Sequence, residues 1–260
     1  MPFLKSQSAN LYYEKWGERG STIVFIHPPA MGATTFFKQK SLSREFQVIL
    51  MDARGHGFSD NGKGTLTISE WAVDVYHLLT ELQVRQAIIC GYSSGASVAL
   101  EFARRWPEKT KGVVLTGGFP EVCTTLLRKQ FHLGIQLAHK NYIGLLGQIL
   151  SFSHATDLRH RRLIYDTILQ VDPSLLQSLY ESGLSYKVTD QLSQITVPLL
   201  LIYGRWDFYV HYYPYIFYKQ RKGLPTDLVF VDRVAHQVPT RQSDVYNAII
   251  KRFANRLVPE

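Results

Sequence analysis

The chain has 260 residues, 45% of them hydrophobic and 13% aromatic, with a formal net charge of +8. That is apolar material enough for one sizeable core, and no stretch approaches the roughly 20 uninterrupted apolar residues of a membrane helix. The cations are scattered, with only small clusters such as Lys219-Gln-Arg-Lys222, which argues for a basic solvated surface and against nucleic-acid or membrane partners.

The first residues lack the basic-then-apolar plan of a signal peptide, so a soluble cytoplasmic protein is expected. Asn10–Trp16, ending at Gly17, reads as an antiparallel edge strand. Short continuous apolar runs follow at Thr22–His27, Phe46–Met51, Gln86–Cys90, Gly112–Thr116, Pro198–Tyr203 and Asp227–Val231. Continuous rather than alternating runs, with helical segments between them, predict a mostly parallel central sheet buried by helices on both faces.

Thr67-Ile-Ser-Glu70 fits a capping box, opening a helix with Trp71, Val75, Leu78, Leu79 and Leu82 at helical spacing. A second helix begins at Ser93-Ser94, places Val98, Ala99, Phe102, Ala103 and Trp106 on one face and stops at Pro107. From Phe119 to Asp190 strand runs disappear and helical patterns take over at Leu126–Lys140, Leu158–Val171 and Ser174–Ser182. Residues 119–190 are therefore expected to be a helical cap insertion on a core formed by 1–118 and 191–260. Cys90 and Cys123 both sit beside apolar residues, so two buried, reduced thiols are expected.

The chemistry concentrates at Gly91-Tyr-Ser-Ser-Gly95. In G-x-S-x-G the nucleophile sits on a tight strand-to-helix turn, and glycines two residues to either side let the backbone fold back on itself. That spacing selects Ser93. With Ser94 as nucleophile, Tyr92 and Ala96 would fill the cramped positions. Ser94 instead opens the helix, with its N–H available to a developing oxyanion. A serine hydroxyl needs a base held by an acid. Asp207 follows the Leu199–Tyr203 run and His236 follows the Leu228–Val231 run, both at the sheet edge that carries Ser93. Asp232 and Glu121 are rival acids.

In the order Ser93, Asp207, His236 the chain resembles the α/β-hydrolase family over nearly its whole length. Met51-Asp-Ala-Arg-Gly-His-Gly-Phe-Ser59 is similar to that family's turn after its fourth strand, and His27-Pro-Pro-Ala-Met-Gly32 lies where the family keeps its oxyanion loop. The resemblance implies a cofactor-free serine hydrolase of the carboxylesterase kind, acting on small-to-medium ester or thioester molecules under a cap. C–C hydrolase, haloperoxidase-like and ligand-sensing members share the triad. The departure is Pro28-Pro29 in place of the family's Gly-x, because proline has no N–H to donate. Either the loop is reshaped so that Ala30 or Met31 donates, with Ala30 the candidate, or the oxyanion hole is weaker than usual.

Pro29, Tyr92 and His211 are expected to border the substrate, Tyr92 also packing beside the nucleophile. Among the cap's apolar residues, Leu126, Leu127, Phe131, Leu145, Leu146 and Phe152 are candidates for a channel lining, although most are expected simply to pack. His27 and His56 suit hydrogen-bonded scaffold roles. His132 and His139 share a helix face but have no third ligand at metal spacing, so no metal is expected. The aromatic stretch Trp206–Tyr218 is either core packing with exposed tyrosines or a wall beside Asp207 that shapes a pocket or a protein contact.

Overall fold

The computed structural model describes residues 3–5 and 9–257. Its strands are β1 (Phe3–Lys5), β2 (Asn10–Trp16), β3 (Thr22–Ile26), β4 (Gln47–Met51), β5 (Ala87–Tyr92), β6 (Thr110–Thr116), β7 (Leu199–Gly204) and β8 (Thr226–Val231). They form one eight-stranded sheet in the order β1-β2-β4-β3-β5-β6-β7-β8. The β1/β2 and β2/β4 pairs are antiparallel, and every pair from β4 onward is parallel.

Helices cover both faces, which explains why the strands read as unbroken apolar runs. On one face Val24, Ile49, Ile89, Val113 and Leu201 pack against Trp71 and Leu78 of α1 (Ile68–Glu81), Phe102 of α2 (Gly95–Arg105) and the following chain. The capping box is present, with Thr67 Oγ1 accepting from Glu70 N (3.1 Å) and Glu70 Oε2 from Thr67 N (2.8 Å). On the other face Phe25, Leu50, Ile88, Val114 and Ile202 meet Tyr246, Ile250 and Phe253. Cutting a buried ring such as Phe253 to Ala removes about 3–5 kcal/mol of stability.

Between β6 and β7 lie α3 (Thr125–His139), α4 (Ile143–His154), α5 (Leu158–Ile168) and α6 (Pro173–Ser185). Helix α3 packs on α6 closely enough that a Cβ at Gly134 would meet the Tyr180 ring at 2.7 Å. The helices share a small apolar cluster, Leu137, Ile143, Leu146, Ile164, Ile168 and Leu176, which closes on Ala30 and Met31 of the loop after β3. The remaining helices are α7 (Tyr213–Gln220), α8 (Val238–Arg241) and α9 (Ser243–Arg256).

Helix α4 was not expected from sequence. Gly144 and Gly147 weaken helix propensity there, yet Gly147 lets the Tyr165 ring approach, since a Cβ would lie 3.1 Å from it. The 3-10 segment Ala33–Arg44 and the short strand β1 were likewise unexpected. Cys90 is buried as expected, but Cys123 is exposed; its neighbour Val122 takes the inward position. No helix among the described residues is long and apolar enough to cross a membrane.

Candidate active site

Strand β5 is buried along its whole length and delivers Ser93 to the carboxyl edge of the sheet. Ser93 holds a left-handed backbone, φ 55°, a conformation that costs of order 1–3 kcal/mol for a residue with a Cβ. Tertiary bonds hold the turn: Ser93 N donates to Thr116 O (2.8 Å) and Ala96 N to Ser93 O (2.9 Å). The flanking glycines are required by contact. A Cβ on Gly91 would come within 2.5 Å of Ala96 Cα, and one on Gly95 would strike the carbonyl oxygens of Ile26 (2.5 Å) and His27 (2.6 Å). Hence β3, β5 and α2 meet without side chains between them, and the turn projects Ser93 into a cavity.

Asp207 follows β7, is fully buried, and accepts at Oδ2 from His236 Nδ1 at 2.7 Å. With Nδ1–H given to a carboxylate, Nε2 is the ring's basic nitrogen. The His236 ring lies between those of Tyr92 (5.2 Å) and Tyr209 (5.1 Å). Gly117, which had not been singled out, makes room for it: a Cβ there would lie 2.5 Å from His236 Cε1. The rival acids are occupied elsewhere, Asp232 with Arg205 and Glu121 with Lys187.

Ser93 and His236 share a cavity of about 280 Å³. Its walls are mostly apolar, from Pro29, Tyr92, Leu127, Phe131, Leu146 and Tyr180 among others, with no Asp or Glu among the lining residues. Of the six candidates for the channel, Leu127, Phe131 and Leu146 line the cavity, whereas Leu126, Leu145 and Phe152 are exposed and neither line it nor pack in the core. Helix α6 roofs the turn, since a Cβ on Gly183 would lie 3.1 Å from Ser94 Oγ.

Two expectations about the site are corrected. The Ala30 amide is not free for an oxyanion: it donates to His56 Nε2 at 3.2 Å. Met31 N–H is engaged too, by Pro28 O at 3.2 Å. With prolines at 28 and 29, residues 28–31 therefore present no unengaged N–H. Ser94 N–H, at the start of α2, makes no hydrogen bond to the described residues. His211 does not border the cavity; its Nε2 is bonded to Gly204 O (2.9 Å), with its ring against Phe208 and Phe230. Of the aromatic stretch, Tyr213 and Phe217 are core, Trp206, Phe208 and Tyr215 are exposed, and Tyr209 reaches the cavity.

His27 and His56 are buried scaffold groups. Ala53 N donates to His27 Nε2 (3.0 Å), and each Nδ1 meets a main-chain carbonyl, Pro28 O and Arg54 O respectively. Burial drives their pKa values down to about 3 and about 4. Asp52 ties the same region together, accepting from Ala33 N (2.6 Å) and Phe58 N (3.0 Å). Burial lifts its pKa to about 6. A third histidine went unnoticed in the sequence. His154, at the end of α4, lines the cavity, and burial lowers its pKa to about 3. Among the described residues no cluster of three His, Cys, Asp or Glu could hold a metal.

This arrangement of sheet, turn and paired His-Asp is the α/β-hydrolase plan. The family model described as serine aminopeptidase, S33, matches residues 39–240, and the chain belongs to that family of α/β-hydrolase-fold enzymes. It is 25% identical over 266 residues to a pimeloyl-[acyl-carrier protein] methyl ester esterase of Nitrosospira multiformis, covering 94% of this chain and 98% of that protein. It is 28% identical over 226 residues to a non-heme chloroperoxidase of Streptomyces lividans, covering 80% and 82%. In fold it is similar to a thermophilic esterase from Thermogutta terrifontis, with a TM-score of 0.85 at 19% identity and 99% of each chain covered.

Proposed function

We propose that the protein is a cytoplasmic, cofactor-free serine hydrolase that cleaves small to medium carboxylic esters or thioesters, with residues 119–190 as a cap over the core. One observation carries this: Ser93, on a left-handed turn, opens into the same cavity as His236, whose other nitrogen is bonded to a buried carboxylate. Ser93 Oγ attacks the carbonyl while His236 Nε2 takes its proton, and Asp207 stabilises the imidazolium. Ser94 N–H meets the oxyanion. The proton then goes to the departing alkoxide or thiolate, and water, activated by the same ring, releases the acid.

The cavity favours esters over the peptides named in the family description. An aminopeptidase must seat a free ammonium group, and no carboxylate lines this cavity, so the charge would be desolvated without a partner. The methyl ester esterase relative points the same way.

A second reading, a ligand sensor that acylates and turns over slowly, is favoured by residues 28–31, which offer no free N–H. Losing one oxyanion donor typically costs about 10²–10³ in rate. Stopped-flow turnover of a p-nitrophenyl ester chain-length series separates the readings. Steady turnover that disappears in Ser93→Ala supports the hydrolase, and a stoichiometric burst followed by arrest supports the sensor. Equal activity in wild type and Ser93→Ala contradicts both.

A further inference from the structure

The cavity is apolar on most sides, and His154 sets an imidazole into that wall. His154 is brought to the cavity by the last turn of α4, next to Tyr92, whose ring is 5.8 Å from its own and 5.2 Å from that of His236. His154 Nδ1 lies 3.2 Å from Thr240 Oγ1. The Thr240 hydroxyl also has Gln237 O within reach as an acceptor, at 3.3 Å; with its proton placed there, it accepts from His154 Nδ1–H and leaves the lone pair on Nε2. That nitrogen has no hydrogen-bond partner among the described residues, and the residue that carries it lines the cavity.

Resting on the hydrolase reading above, we infer that His154 Nε2 is a specificity-determining hydrogen-bond acceptor that selects esters carrying a hydroxyl or amide N–H donor, one ring away from the catalytic histidine. Burial, His236 and Arg241 all disfavour a second proton on this ring, so it stays neutral and accepts at neutral pH. A purely alkyl ester leaves the lone pair unmatched in a desolvated wall, whereas a donor of the right reach satisfies it. A substrate carboxylate placed there would meet the lone pair as a second acceptor and be rejected.

The test uses esters with a hydroxyl at successive carbons of the acyl or the alcohol half, each paired with its methyl counterpart. For at least one position wild type should favour the hydroxyl ester about ten-fold or more in kcat/KM. His154→Phe should bring that ratio near one, whatever its effect on the methyl ester alone, and His154→Gln, which keeps an acceptor, should retain part of the preference. Ratios that His154→Phe leaves unchanged at every position would overturn the inference. If no ester is turned over at all, the hydrolase reading fails by itself. The pairs titrated by calorimetry into Ser93→Ala and Ser93→Ala/His154→Phe still decide the question, the hydroxyl preference being present in the first and lost in the second. ¹⁵N chemical shifts of the wild-type ring, assigned against His154→Phe, give an independent readout: a proton on Nδ1 alone is required, and a proton on Nε2 at pH 7 overturns the assignment.

Discussion

Two loops at the carboxyl edge of the sheet sit side by side and were built by opposite means. The turn after β5 is held by main-chain contacts: Gly91 and Gly95 leave room where main chains touch, Ser93 takes the left-handed conformation between them, and Ser93 N–H bonds Thr116 O on β6. The loop after β3 is held by distant side chains, His56 on the Ala30 amide and Asp52 on Ala33. The first loop leaves a hydroxyl and an amide free at the cavity. In the second, two amides are committed to the scaffold and two are missing because the residues are proline. The turn that carries Ser93 thus rests on close main-chain packing, while the supply of hydrogen-bond donors depends on where side-chain partners have already used them.

The largest effect expected is chemical. Asp207→Asn leaves the His236 ring in place but favours the wrong tautomer, and kcat should fall about 10⁴-fold with KM little changed, as steady-state kinetics on a p-nitrophenyl ester will show. The next probes the steric loop. Gly95→Ala drives a Cβ into the carbonyls of Ile26 and His27, and urea denaturation should register a loss of about 3 kcal/mol, with nucleophile reactivity lost along with it. The donor-poor loop should respond in the opposite direction. Pro29→Ala restores an N–H at the position where the family's loop donates, and a gain in kcat of roughly 10-fold would be part of the 10²–10³ that a full donor is worth. A variant no faster than wild type would show that the new amide does not face the oxyanion.

How much of this was legible in the sequence follows the same division. The buried strands showed as continuous apolar runs because both sheet faces are covered, and the Thr67/Glu70 cap and the glycine spacing around Ser93 are short-range rules that need no tertiary knowledge. The commitment of Ala30 N–H was not legible, because its acceptor, His56, is 26 residues away. His211 lay close to Asp207 in sequence but turned to the Gly204 carbonyl. His154 could not be placed at all, since the glycines of α4 hid the helix that carries it.

A smaller effect concerns the buried titratable groups around the site. His27, His56 and His154 have pKa values lowered to about 3, about 4 and about 3. Their stabilisation is complete above the unfolded value near 6.5 and is lost as pH falls toward those values, because the unfolded chain binds protons that the fold excludes. Asp52, raised to about 6, acts oppositely: its contribution is greatest below the unfolded carboxylate value and is lost as pH rises through 6. The histidines outnumber it, so the urea midpoint should drop between pH 7 and pH 5. His56→Asn should flatten that dependence by up to about 1.4 kcal/mol per pH unit.

The central claim is that Ser93, and not its neighbour Ser94, is an activated nucleophile. Intact-mass analysis after exposure to a fluorophosphonate, followed by peptide mapping, tests it directly. The account predicts one adduct per chain, on Ser93, absent from Ser93→Ala and greatly slowed in Asp207→Asn. An unlabelled protein, or an adduct on Ser94, would contradict it.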